Sequence, residues 1–157
     1  MRNRSFKRIP IGITIEGIMD VKVNLIAVLL STVASMVIGM IWYHPKVFGG
    51  AWMKMAKIKM GEGNMAWTMG SAVVSSFLMA YVLAHVTFLA HNFYIGNPFW
   101  RDAVNTAFWM WLGFMALRQI MRGEFNLRRK KETLIHVTND LVTIMAMALI
   151  IGILGVK

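Results

Sequence analysis

The chain has 157 residues, 57% of them apolar and only 15% charged, with no cysteine and a formal net charge of +10. The apolar share exceeds the roughly 45–50% of ordinary soluble domains, and the mean hydropathy is +0.57. The missing cysteines exclude disulfides, thiol catalysis and Cys-ligated metals. Lysine and arginine fall between long apolar blocks instead of along a polar face, which argues for a membrane protein and against a nucleic-acid partner.

Residues 1–18 are basic, lack a helical period and contain no cleavable apolar core. Met19 directly precedes DVKVNLIAVLL, so translation is expected to begin there, with residues 1–18 a gene-start artefact and 19–157 a single domain. Four apolar stretches follow, at about 23–42, 65–90, 103–121 and 133–156. A span needs about 20 mainly apolar residues to cross the hydrocarbon layer, and helices satisfy their own backbone bonds there. The expected fold is all-α: an integral membrane four-helix bundle of up-down topology.

The first stretch carries Ala27, Ser31, Ser35 and Gly39 at every fourth position, and the second carries Ala72, Ser76, Ala80 and Ala84. Lipid gives helices no hydrophobic reason to associate, so these small residues are read as packing stripes. The connector after the first stretch begins IWYHPKVFGGAW, residues 41–52. Its aromatics suit the membrane interface, Pro45 ends the helix, and the basic segment 47–60 suits the anionic inner leaflet. The turn HNFYIGNPF lies between the second and third stretches.

The two connectors on one side hold Lys46, Lys54, Lys57 and Lys59, then Arg118, Arg122, Arg128, Arg129, Lys130 and Lys131, ten basic residues in all. The other side holds Lys22, Arg101 and Lys157, three residues, or seven with the four of the N-terminal tail. The positive-inside rule therefore puts both basic loops in the cytoplasm and both termini outside, in the cytoplasmic (inner) membrane.

Ionisable groups inside a span are costly and mark candidate sites. Asp140 lies in the fourth stretch with His136 four residues earlier and Asn139 beside it; Arg118 and Gln119 of the third stretch lie at the same level. An Arg118–Asp140 pair is expected, with His136 or His44 joined to it, serving either as a polar clamp or as a proton-handling or ligand site. A metal site at His44, His136 and Asp140 has the right donor types but no spacing signature. No metal and no cofactor are expected. Nucleophile elbows and phosphate loops are absent from the sequence, so no catalytic residue is assigned.

The pattern WY-x-P-x-x-F-G-x-x-W, here Trp42, Tyr43, Pro45, Phe48, Gly49 and Trp52, resembles a prokaryotic family of small four-helix membrane proteins known as a domain of unknown function. WLGF at 111–114 and the closing MAMALIIGILG are similar to it as well, so the likeness covers nearly everything from Val23 to Val156. In that family's fourth helix an Asn is followed four residues on by a His; the matching positions here are His136 and Asp140. The resemblance implies the architecture and no activity. The expected function is a non-catalytic interaction or accessory unit; the alternatives are an oligomeric small transporter or channel with a polar site near the cytoplasmic face and, third, a membrane-embedded enzyme. The expected partners are the bilayer and either a second copy of the chain or another membrane protein.

Overall fold

The computed structural model describes residues 21–57, 64–94, 96–125 and 130–155. The tail 1–18, the Met19 start and the loop residues Lys59, Gly61, Gly63, Arg128 and Arg129 lie outside the described residues. Among those described the structure is all helical: α1 (Leu25–Trp42), a π-helical turn (Pro45–Gly49), α2 (Gly50–Ala56), α3 (Met65–Phe93), α4 (Phe99–Met110), a second π segment (Trp111–Ala116), α5 (Leu117–Phe125) and α6 (Lys130–Leu154). Three of them, α1, α3 and α6, are long and apolar enough to cross a membrane.

Side chains that cap free backbone groups set the helix ends. Asn24 accepts from the amides of Ile26 and Ala27 at 3.1 and 3.3 Å, and Asn64 accepts from that of Trp67 at 3.1 Å. The Asn24 amide also donates to the Leu154 and Gly155 carbonyls at 3.4 and 3.3 Å, tying the start of α1 to the end of α6. Gly155 stops α6 with φ +61°, a conformation costly for residues with a Cβ.

The third apolar stretch departs most from expectation. Instead of 103–121, helix runs from Phe99 to Phe125 and changes to π geometry across WLGFMA. It starts earlier because Pro98 presets the entry and Asp102 in the first turn favours the positive end of the helix dipole. The fourth helix starts at Lys130 instead of 133 and ends at Leu154 instead of 156, and the second extends to Phe93.

Helix α6 makes its widest contacts with α1 and α4, while α3 lies against α1 and α4 in turn. The core consists mainly of small side chains, with Ala27, Ala80, Ala84, Ala103, Ala107 and Ala148 packed around Val28, Leu83, Ile144 and Met147. Of the stripe positions, Ser31, Ser35 and Ser76 are also buried, and Gly39 and Ala72 are half-buried. Ser35 donates to Ser76 across α1 and α3 at 2.7 Å, and Ser31 donates to the Met147 carbonyl of α6 at 3.3 Å. These hydroxyls bond between helices, whereas Thr32 bonds back to Val28 of its own helix. Large apolar side chains such as Leu29, Leu30, Val33, Val74 and Leu78 face outward.

Gly152 marks a close backbone approach of α4 to α6, since a Cβ there would lie 2.6 Å from the Trp100 Cα. Backbone cannot yield as a flexible side chain can. Gly152→Ala should destabilise the protein by about 1–3 kcal/mol. Gly70→Ala, whose Cβ would meet nothing within 4 Å, should be neutral or stabilise by up to about 1 kcal/mol. Thermal unfolding of both variants in detergent tests the pair; equal melting temperatures would contradict this account of the α4–α6 contact.

Candidate functional site

The turn after α1 is wound so tightly that two of its residues cannot carry a side chain. His44 is extended (φ −64°, ψ 138°), as a residue before proline tends to be. A Cβ on Gly49 would overlap the Tyr43 carbonyl oxygen, and one on Gly50 would lie 2.6 Å from that of Pro45. This winding directs the aromatics of the turn onto the first half of α6. The Trp42 indole donates to the Ile135 carbonyl at 3.2 Å, and Phe48 packs on Trp42 with ring centres 4.6 Å apart. Trp52 sets its ring edgewise to Tyr43 at 5.5 Å and to His136 at 6.2 Å. From the other side, Trp111 of the π segment donates to the Val137 carbonyl at 3.1 Å. The motif expected as an interfacial anchor thus also grips α6.

Beyond the Ser35–Ser76 bond, α1 and α3 border a half-open cavity of about 500 Å³. Helix α1 contributes Ser35, Met36, Gly39, Met40 and Tyr43, and α3 contributes Thr68, Met69, Ala72, Ser76 and Met79. The remaining wall is Met115 of the π segment with Asn139, Asp140 and Thr143 of α6. Among the described residues Asp140 is the one charged member of that lining. The Asn139 amide oxygen and the Thr143 hydroxyl are buried with no hydrogen-bond partner, although Thr143 is only 7% exposed. Both atoms are closed off from the cavity space, as are the other two orphans among the described residues, His85 Nδ1 and the Thr87 hydroxyl of α3.

Asp140 accepts a long hydrogen bond, 3.4 Å, from the Gln119 amide. The expected partner Arg118 forms no ion pair with it; among the described residues the ion pair present is His91–Asp102. The π segment precedes this position and inserts residues into the helical repeat, and it is Gln119 that reaches the carboxylate. Arg118 and Arg122 line a separate cleft of about 220 Å³, which shares Met115 and Asp140 with the larger cavity. Asp140 and Met115 therefore form the partition between a methionine-walled space and a basic one.

His136 does not line the cavity. Its Nδ1 lies 2.7 Å from the Tyr43 hydroxyl. Burial first, then the negative charge of Asp140, push the Tyr43 phenol up to about 12. The phenol therefore keeps its proton, and which of the two groups donates in this bond follows from the imidazole tautomer. His44 is exposed and stands apart from this group, its Nδ1 accepting from the Lys46 amide as a helix cap. No group of three or more His, Asp or Glu close enough to hold a metal ion occurs among the described residues, so His44, His136 and Asp140 are not gathered into one.

A second polar cluster, at the α3–α4 turn, was not singled out from sequence. Asp102, 3% exposed, takes His91 at 2.7 Å and Asn97 at 3.1 Å, while Phe99 sets its edge against His91 at 5.1 Å. An acid in the first turn after a proline, eleven residues past a histidine, was the available signal. Here both carboxylate oxygens are satisfied, and the cluster locks the turn.

Tyr43→Phe should cost about 1 kcal/mol, the usual net worth of a hydrogen bond. It should also remove a late-ionising component near pH 12 from the phenol absorbance titration. If no tyrosine ionises later than the ordinary value of about 10, the burial of Tyr43 is misjudged.

No curated protein and no solved structure matches the chain. A family model matches residues 26–152, which takes in α1 through α6, the turn motif and the cavity wall. The chain belongs to the family described as "Protein of unknown function (DUF1761)".

Proposed function

We propose that the chain is a multi-pass protein of a prokaryotic cytoplasmic membrane, folded as an up-down four-helix bundle. Its third crossing would be the composite of α4, the π segment and α5, 27 residues from Phe99 to Phe125. Contacts between α1 and α6 pair 24 with 154, 31 with 147 and 43 with 136, as antiparallel neighbours would. The basic excess of the 46–59 and 118–131 connectors supports cytoplasmic loops with both termini outside.

Within that frame we propose a non-catalytic ligand-binding role of the transporter type, in preference to an enzyme or a purely structural accessory. A single observation carries it: the cavity of about 500 Å³ beside Asp140. That volume lies in the usual range for small-molecule sites, about 300–1,000 Å³, and mainly apolar walls with a few convergent polar groups are typical of them. A structural clamp would be expected to hold Asp140 in a close ion pair, yet Arg118 makes none and the Gln119 bond is long at 3.4 Å.

The chain has no cysteine, so a single introduced one reports alone. N-ethylmaleimide reacts with the thiolate and so needs water at the sulfur. In native membranes, Met69→Cys and Met36→Cys, both in the cavity lining, should be labelled, whereas the outward-facing Leu29→Cys and Leu78→Cys should not. Silence at both cavity positions would defeat the ligand-binding reading. An impermeant thiol reagent should reach Lys46→Cys from the cytoplasmic side alone; labelling from outside would reverse the topology.

A further inference from the structure

We propose that the cavity beside Asp140 takes amphiphilic organic cations, an ammonium or phosphonium centre carrying apolar substituents. This rests on the ligand-binding reading above and names its ligand class.

Charge is the first ground. Among the described residues the lining holds one carboxylate and no lysine, arginine or histidine, a balance that favours a cation. A carboxylate offers about four acceptor positions, and the hydrogen bond that Gln119 donates to Asp140 is long at 3.4 Å. A bound cation would meet this carboxylate, whereas an anion would face it with no lysine or arginine among the described lining residues to pair with. Arg118 and Arg122 stand beyond Asp140 in the adjoining cleft, so a cation resting at Asp140 meets positive charge on that side and is held in the methionine-lined space.

The apolar wall supplies the second ground. Five methionines line the cavity: Met36, Met40, Met69, Met79 and Met115. Thioether chains are flexible and polarizable, and adapt to ligands of differing shape. Thioethers also bind soft metal ions, but such an ion needs its donors around one point. Met69 and Met79 are ten residues apart on α3, about 15 Å at ~1.5 Å per residue, so this wall suits an extended apolar body instead. Tyr43 at the cavity's end adds an aromatic face, which attracts quaternary cations.

The test uses the full chain in nanodiscs of zwitterionic lipid, with empty nanodiscs subtracted. The probes are tetraphenylphosphonium and tetraphenylborate, ions of similar shape and opposite charge. Tetraphenylphosphonium should bind saturably, tetraphenylborate should not, and Asp140→Asn should weaken phosphonium binding about tenfold or more, as expected on losing an ion–ion attraction in a poorly solvated site. Ala72→Phe, which fills the cavity and leaves Asp140 in place, should abolish binding, so the proposal remains testable if Asp140→Asn fails to fold. Phosphonium should also protect Met69→Cys from maleimide. Equal retention of the two ions, or phosphonium affinity unchanged by both Asp140→Asn and Ala72→Phe, overturns the proposal. Maleimide labelling of Met69→Cys without phosphonium binding rejects the cation class and leaves the ligand cavity standing; loss of labelling at both cavity positions rejects both.

Discussion

An indole N–H enclosed by apolar groups needs an acceptor, and in this protein two of them find theirs on the backbone of α6. Trp42 reaches the Ile135 carbonyl from the end of α1, and Trp111 reaches the Val137 carbonyl from the π segment. The carbonyls lie two residues apart, roughly 200° around the helix at 3.6 residues per turn. Together the indoles fix the rotation and height of α6 near its start. Asp140 follows Val137 by three residues, less than one turn, so its position depends on the same two bonds. The tight turn at Gly49 and Gly50 supports one of them by bringing Phe48 against Trp42 and Trp52 against His136.

From that fixed point the rest of α6 is held by close approach. Ala148, Gly152 and Ile151 are buried, and Gly152 lets the α4 backbone come near. Bulk is short on this side of the core, and association depends on small residues and interhelical hydroxyl bonds, as expected for helices without a hydrophobic drive to meet. The cavity begins where that close packing ends, on the far side of the Ser35–Ser76 bond from the alanine-rich core. Side chains there turn from alanine to methionine, and the void is bordered by thioethers instead of being filled.

Much of this was legible in the sequence, for reasons peculiar to membranes. The need for about 20 apolar residues per crossing makes spans stand out, and α1, α3 and α6 lie close to where that criterion puts them. Asp140 and Asn139 were visible as polar residues in an apolar run. Other features left no such mark. Nothing in WLGFMA distinguishes π from α geometry, so the register after Ala116 could not be read, and Arg118 stood as the natural partner of Asp140 where Gln119 makes the bond. His44 carries the same imidazole as His136, but its backbone conformation makes it a cap at the turn. The role of Asp102 is not legible from spacing because its histidine partner lies across a turn that helical periodicity does not describe.

The Asn24 amide has a mechanical consequence. It closes the first helix onto the last at the end where His91 and Asp102 also fasten α3 to α4. Side-chain hydrogen bonds thus tie α1 to α6 at both of its ends, through Asn24 at one and through Trp42 and Tyr43 at the other. Helix α3 meets α1 through the Ser35–Ser76 bond at the edge of the cavity, so of the two helices that border that space α1 is the one anchored to α6 along its full length.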